Sequence, residues 1–479
     1  METMTGLDAK FLYSETPTAH MHTVKVAISD VSALGDRFSY ESLLTVLEHQ
    51  LDRLPPFRRR AVPVPLGLGH PVWIEDPEFD MRRHVSRRVL QEPGSDHQLA
   101  TLVAEFGGVA LARDRPLWEL MVVEGLAGGR MAFVAKLHHA VADGSAVVAL
   151  LQSVVQGNTF EATQRSAADV DQWRPESVPN RRELLKIAAQ GHMARWKGLP
   201  RLAVRSTRGA RASEVRRRSF EVKPPLPLHH IPKTSFNVSL TPERTFAMTS
   251  LPLGDLKFIR RAAGTTLNDV YLAVCAGALR HYLSDRGELP VRSLVASVPV
   301  STDPNVARMS GNRVDNLYVS IGTDLVDPRQ RLKHISDVTT AAKEVRGLLG
   351  HELLEQRADI IPPQIYSSIV RLWTRSHAAS RVHPPLNVVL SNVAGPRERI
   401  SFGPIELEAL YSVGPILEGI GLNITAWSYE ERLGVSVLGC PASVPDPWEI
   451  TDALHHSLDE LRGVMGTEAL SNSDPDVAF

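Results

Sequence analysis

Apolar positions recur along this chain in two rhythms. The run His22 to Asp30, HTVKVAISD, alternates with period two and predicts a half-buried β-strand. After it Leu43, Leu44, Leu47, Leu51 and Leu54 fall on one stripe of a helix that Ser39 can cap and Pro55-Pro56 end. WELMVVEGL and RMAFVAKLHH flank Ala127-Gly128-Gly129 and predict a hairpin, and GSAVVALLQSVVQG has helical length up to Gly157. The second half repeats this style. A helix TLNDVYLAVCAGALRHYL, strands RSLVASVPVS and LNVVLSNVAGP, and a hairpin GLNITAWSY/ERLGVSVLGC precede a last helix that starts at Asp446-Pro447 and runs to about Val464. Strands interspersed with helices in both halves predict two α/β layered domains.

Between them the pattern changes. Residues 158–225 are polar and lead into a segment with twelve Lys or Arg against Glu183 and Glu214, interspersed with Leu184, Leu185, Ile187, Met193, Trp196 and Leu199. A solvated helix along the domain junction, a basic amphipathic surface on anionic lipid that neutralising Arg216, Arg217 and Arg218 would test, and a nucleic-acid contact are the three readings; no fold signature supports the last. The expected division is 1–180, a basic connection 181–224, and 225–479.

Length and composition fit this plan. At 479 residues the chain exceeds one core, and 43% apolar with 22% charged residues is ordinary for a globular protein. A net charge of -1 gives no general field for nucleic acid or an anionic membrane, so a charge-driven partner must see a local patch. Two cysteines, Cys275 and Cys440, are too few for a disulfide framework and point to a reducing compartment. The start METMTGLDAKFLY lacks a signal-peptide pattern and no uncharged apolar run spans a bilayer, so a cytoplasmic or peripheral location is expected.

The chemistry-bearing stretch is KLHHAVADGSA. His138 and His139 end a predicted strand, where successive residues face opposite sides, so one imidazole faces a cleft and the other the packing. Adjacent strand histidines converge poorly on one metal, and no HExxH or cysteine cluster accompanies them, so no metal site is expected. A neutral imidazole suits removal of a proton from an alcohol or thiol. Asp143 either orients the site or merely caps the next helix, and Gly144 serves the turn into it. His229-His230 and His455-His456 are also doublets, but neither precedes Asp-Gly, and they are read as loop and as surface or packing residues. The chain lacks a GxSxG elbow, a Walker loop and a Rossmann fingerprint.

HHxxxDG, formed by His138, His139, Asp143 and Gly144, resembles the signature of the CoA-dependent acyltransferases. With Pro116-Leu117-Trp118, LDAKFLY near the start, Asn268-Asp269, Gly311-Asn312 and SNVAGP from Ser391 to Pro396, the chain resembles the bacterial wax ester synthase/diacylglycerol acyltransferase family over nearly its whole length. The resemblance implies two chloramphenicol-acetyltransferase-like α/β domains with an active-site channel between them. His139 would be the general base, His138 a support and Asp143 a structural or orienting residue. Asn268, Asp269, Ser391, Asn392 and Gly395 would line the channel. Plainer roles stand beside these: Asn268 and Asp269 in a first helical turn, Asn392 tying a loop, Gly395 setting a turn, Trp118 as packed core.

The implied activity is transfer from a long-chain acyl-CoA, a co-substrate with no bound cofactor, to diacylglycerol or a fatty alcohol at a membrane or lipid-inclusion surface. An acyltransferase for a specialised acceptor and a catalytically silent lipid-binding protein are the alternatives. One departure from the family pattern is the Thr302-Asp303-Pro304 stretch, where an arginine is expected shortly after VASVPVS.

Overall fold

The computed structural model describes residues 1–32, 40–51, 54–156, 175–226, 230–302, 308–348, 362–402 and 405–471. Two six-stranded mixed sheets form its frame. The first has the order β12-β13-β2-β7-β6-β5, from β2 (His22–Asp30), β5 (Val85–Val89), β6 (Trp118–Leu126), β7 (Arg130–His138), β12 (Ser401–Phe402) and β13 (Ile405–Val413). The second has the order β10-β9-β11-β14-β15-β8, from β8 (Thr245–Pro252), β9 (Val295–Ser301), β10 (Val314–Ser320), β11 (Val388–Val393), β14 (Asn423–Tyr429) and β15 (Arg432–Gly439). A small sheet of β1 (Glu2–Thr3), β4 (Val72–Glu75) and β3 (Arg59–Val62) sits beside the first. The helices are α1 (Gly6–Ser14), α2 (Tyr40–Gln50), α3 (Asp96–Gly107), α4 (Gly144–Gln156), α5 (Arg181–Arg218), α6 (Leu253–Ala263), α7 (Leu267–Asp285), α8 (Pro328–Gly347), α9 (Pro363–Arg375) and α10 (Trp448–Ser471).

Local chemistry explains most of these elements. Ser95 and Gln98 close a capping box on α3, and Thr266 and Asp269 do so on α7. Asp446 accepts from Trp448 N at 2.9 Å and so starts the last helix where the sequence predicts it. Ser39 lies outside the described residues, while Leu44, Leu51 and Leu54 of the predicted stripe are buried. β2 departs from the half-buried expectation. It runs in the middle of its sheet between β13 and β7, and covering on both sides leaves only Asp30 exposed.

The two halves are interlocked. β12 and β13 come from the range assigned to the second domain yet complete the first sheet, with Ser412 opposite Lys25 and Val413 opposite Val24. The cores are shared as well: Phe246 and Met248 of β8 pack with Val24, Val26 and Val134, and Trp427 of β14 packs with Leu137, Val141 and Ala146. The basic connection forms the 38-residue α5, capped by Asn180 and packed on α8. Its terminal arginines are engaged on the protein itself: Arg216 with Glu344, and Arg217 and Arg218 with Glu214. These pairs engage three of the twelve Lys and Arg of the segment. No helix among the described residues is long and apolar enough to cross a membrane.

Candidate active site

β7 delivers its two histidines to different environments. His138 is the last strand residue, opposite His22, and is fully buried. Its Nδ1 accepts from Ala140 N at 3.0 Å, so it holds the turn that follows. His139 leaves the sheet, with its backbone N–H donating to Met21 O at 2.7 Å, and stays half-buried. Phe11 of α1 stacks on its ring at 4.1 Å between centroids and 10° between planes, which fixes the imidazole plane.

The second half supplies the other contacts. His139 Nδ1 lies 2.8 Å from Asn312 Oδ1, while Asn312 Nδ2 donates to Asp8 Oδ1 and to the His139 carbonyl, each at 2.7 Å. A backbone carbonyl only accepts, so the atom facing it is the amide nitrogen and the oxygen faces the imidazole. Nδ1 therefore carries the proton and Nε2 presents a lone pair. Burial pushes the His139 pKa below its ordinary value, with the Asn312 hydrogen bond opposing, so the ring is neutral at pH 7.

Asp143 joins the two halves. It accepts from Ala146 N at 2.9 Å as the cap of α4, from Arg308 at 2.6 Å and from Arg313 N at 2.8 Å. Backbone bonds Gly311 N to Val141 O at 2.8 Å and Asp143 N to Gly311 O at 3.2 Å clamp the 308–313 segment onto the histidine loop. Residues 303–307 lie outside the described residues, and Arg308 just beyond them is the arginine that meets the acidic partner. Gly144 has no positive φ. What its lack of a side chain permits is close approach, because a Cβ there would stand 3.0 Å from Val393 Cγ2.

That contact brings the end of β11 to the motif. Ser391 and Asn392 pair with Thr425 and Ala426 of β14 and are half-buried, and Gly395 N donates to Ser428 Oγ at 3.0 Å. Asn268 and Asp269 have other surroundings. Asp269 is buried, with its carboxylate accepting from Thr265, Thr266 and Thr339 at the start of α7, and Asn268 beside it is half-buried. None of these partners belongs to the histidine site. Trp118 is packed core, its Nε1 donating to Phe57 O at 2.8 Å and its ring stacked on His84.

Several site residues escaped sequence reasoning. Asp8, Phe11 and Asn312 lie in stretches noticed only for their resemblance, and Arg308 in none. Lys25 is the single cation in the apolar β2; its Nζ donates to Ser412 Oγ at 2.5 Å and lies 5.4 Å above the Trp427 ring. Burial pushes its ammonium pKa down to about 7, with the Asp143 carboxylate opposing. A cavity of about 190 Å³ opens on the Asn312 side of His139, lined by residues that include Asp8, Arg59, Arg308, Asn312 and Arg313. Among the described residues one group has metal-ligating spacing, His281, His456 and Glu460, with ligand atoms within 4.8 Å. It joins α7 to α10 and shares no residue with this site. His455 donates to or accepts from Thr249 Oγ1 at 2.7 Å as a packing contact, and His229 lies outside the described residues.

Two interlocked mixed sheets, with a histidine-bearing strand end between them, define the architecture of CoA-dependent acyltransferases and condensation domains. The first condensation domain of the CDA synthetase shares this fold at a TM-score of 0.58 and 15% identity, over 97% of this chain and 96% of that one. The chain belongs to the wax ester synthase/diacylglycerol acyltransferase family: the model of the catalytic domain matches residues 4–271 and that of the C-terminal domain residues 310–462. It is an acyltransferase. A protein of Mycobacterium tuberculosis strain H37Rv, named as a candidate diacylglycerol O-acyltransferase, is 38% identical over 467 residues, 97% of each chain. The wax ester synthase/diacylglycerol acyltransferase of Marinobacter aquaeolei VT8 aligns with a TM-score of 0.66 at 25% identity, over 97% of this chain and 100% of that one.

Proposed function

We propose that the protein transfers a long-chain acyl group from acyl-CoA to the hydroxyl of diacylglycerol, giving triacylglycerol and free CoA, and that fatty alcohols enter the same site to give wax esters. The observation that carries this is the neutral His139 with its Nε2 lone pair set by Asn312. Nε2 takes the acceptor's hydroxyl proton as the alkoxide oxygen bonds to the thioester carbon. The tetrahedral oxyanion then expels the CoA sulfur, which recovers the proton from the imidazolium. Phe11, Asn312 and the buried His138 act as positioning residues, and Asp143 holds the Arg308–Arg313 segment beside the base. Arg313 at the cavity supplies positive charge for the CoA phosphates. Ser391, Asn392 and Gly395 shape the wall that Val393 presents to Gly144. No step calls for a resident metal or cofactor. Water-insoluble acceptors place the enzyme at a membrane or lipid-inclusion surface.

The test is CoA release by purified protein with diacylglycerol and hexadecanol supplied separately, comparing wild type with His139→Ala. A loss of roughly 10²- to 10⁴-fold in a variant that melts like wild type is expected. Equal rates in the two proteins would remove His139 as the base, and no release with either acceptor would shift the substrate to a specialised alcohol.

A further inference from the structure

Helix α9 is apolar on its outer face as well as on its inner one. Tyr366, Val370 and Trp373 turn inward, while Ile365, Ile369 and Leu372, spaced to share one face, are 55%, 62% and 70% exposed. Arg371 and Arg375 run along one edge of that apolar stripe. From Pro362 to Val382 the chain contains three arginines and no Asp or Glu.

Two neighbouring segments extend the patch. Gly67 lies against Gln364, so close that a Cβ there would stand 2.9 Å from its Cγ, which sets Leu66 and Leu68 beside the first turn of α9. Leu66 is 68% exposed and has φ 58°, a conformation unfavourable for a branched side chain, adopted here while the side chain faces water. His192 of α5 bonds to the Leu68 carbonyl, and Met193 next to it is also exposed. The Leu66–Leu68 turn thus touches both α9 and α5, and all three segments carry exposed apolar side chains. Scattered exposed leucines are ordinary, but a contiguous apolar patch with a basic border marks an interaction surface.

We propose that this face, centred on α9 with Leu66, Leu68 and Met193, docks the enzyme on an anionic lipid surface. The occupant follows from the chemistry: an apolar stripe enters the acyl region while Arg371, Arg375 and Arg381 meet lipid phosphates. Its position relative to the site supports the same occupant. α9 packs on α1, with Ser14 Oγ 3.0 Å from the Tyr366 hydroxyl, and α1 carries Asp8 and Phe11 to His139. One short helix therefore separates the lipid surface from the base. The inference rests on the acyltransferase reading above and names the surface from which that reaction draws its water-insoluble acceptor.

The experiment is co-sedimentation of the full chain with phosphatidylcholine vesicles, with and without phosphatidylglycerol, and with no acyl-CoA present. Ile369→Asp with Leu372→Asp is expected to lower partitioning roughly tenfold or more per residue at an unchanged melting temperature. Arg371→Gln with Arg375→Gln costs about fivefold per arginine, on phosphatidylglycerol vesicles only. Arg216→Gln, Arg217→Gln and Arg218→Gln together leave binding as it was. Wild-type sedimentation of the double aspartate variant would overturn the proposal. So would a vesicle-free wild-type dimer that the same substitutions split, because the face would then belong to a second copy. Turnover does not enter these readouts, so vesicle binding without CoA release would count against the acyltransferase reading alone.

Discussion

One side-chain amide sets the protonation of the base. Asn312 spends its N–H groups on Asp8 and the His139 carbonyl, which leaves its oxygen to hold the Nδ1 proton and keeps Nε2 free. Catalysis requires neutral Nε2, so kcat/KM falls as pH drops through the His139 pKa, and burial sets that limb below pH 6.5. Asn312→Ala removes both the tautomer control and the hydrogen bond that raises this pKa. The plateau is expected to fall roughly 10- to 100-fold and the acid limb to move to lower pH, with KM for acyl-CoA little changed. A pH profile of kcat/KM checks both; a limb that stays in place would mean that Asn312 does not contact the ring in solution. Sequence made His139 visible through HHxxxDG. It left Asn312 without a role, because residues 8–11, 138–144 and 308–313 meet only in the folded chain.

At the scale of elements, strands and helices with strong local signals are legible: β2, the β6–β7 hairpin and α7 lie where periodicity and caps set them. Partner choice is not legible, since the hydrogen bonds that place β13 next to β2 join residues nearly four hundred positions apart. The same holds for the end of β11. Gly395 reads in sequence as a turn residue, yet its constraint is the parallel neighbour β14: a Cβ would stand 2.0 Å from Ser428 O and 2.4 Å from Trp427 Nε1. Gly395→Ala must therefore push β11 from β14 and is expected to cost about 1–3 kcal/mol or more. Gly144→Ala meets only a valine methyl at 3.0 Å, which a small side-chain shift relieves, and should cost less. Chemical denaturation of the two variants ranks them, and equal losses would show that β11 moves freely against its neighbour.

Across the whole molecule, acid acts on the base and on the frame by separate routes. His20, His22 and His138 cluster where β2 meets β7, with His20 stacked on His22 at 5.4 Å and Glu15 3.8 Å from His22 and 3.9 Å from His138. Burial, followed by the positive charge of Lys136, Arg244 and Arg113, pushes the His22 pKa well below 6.5, and burial followed by Arg244 pushes that of His20 down to about 4. In the unfolded chain these rings titrate near 6.5 and bind protons first. Their contribution to stability is thus complete above pH 6.5 and is lost progressively as pH falls toward the folded values, down to about 4 for His20. The melting temperature should therefore drop between pH 6.5 and 4.5, and His20→Asn with His22→Asn should flatten that slope even where it lowers stability at pH 7.5. An unchanged slope would move the acid sensitivity to the carboxylates. Activity separates the two routes: a brief exposure to pH 5.5 followed by return to pH 7.5 restores at once what protonation of His139 removed, while loss through the cluster recovers only as fast as the first sheet refolds.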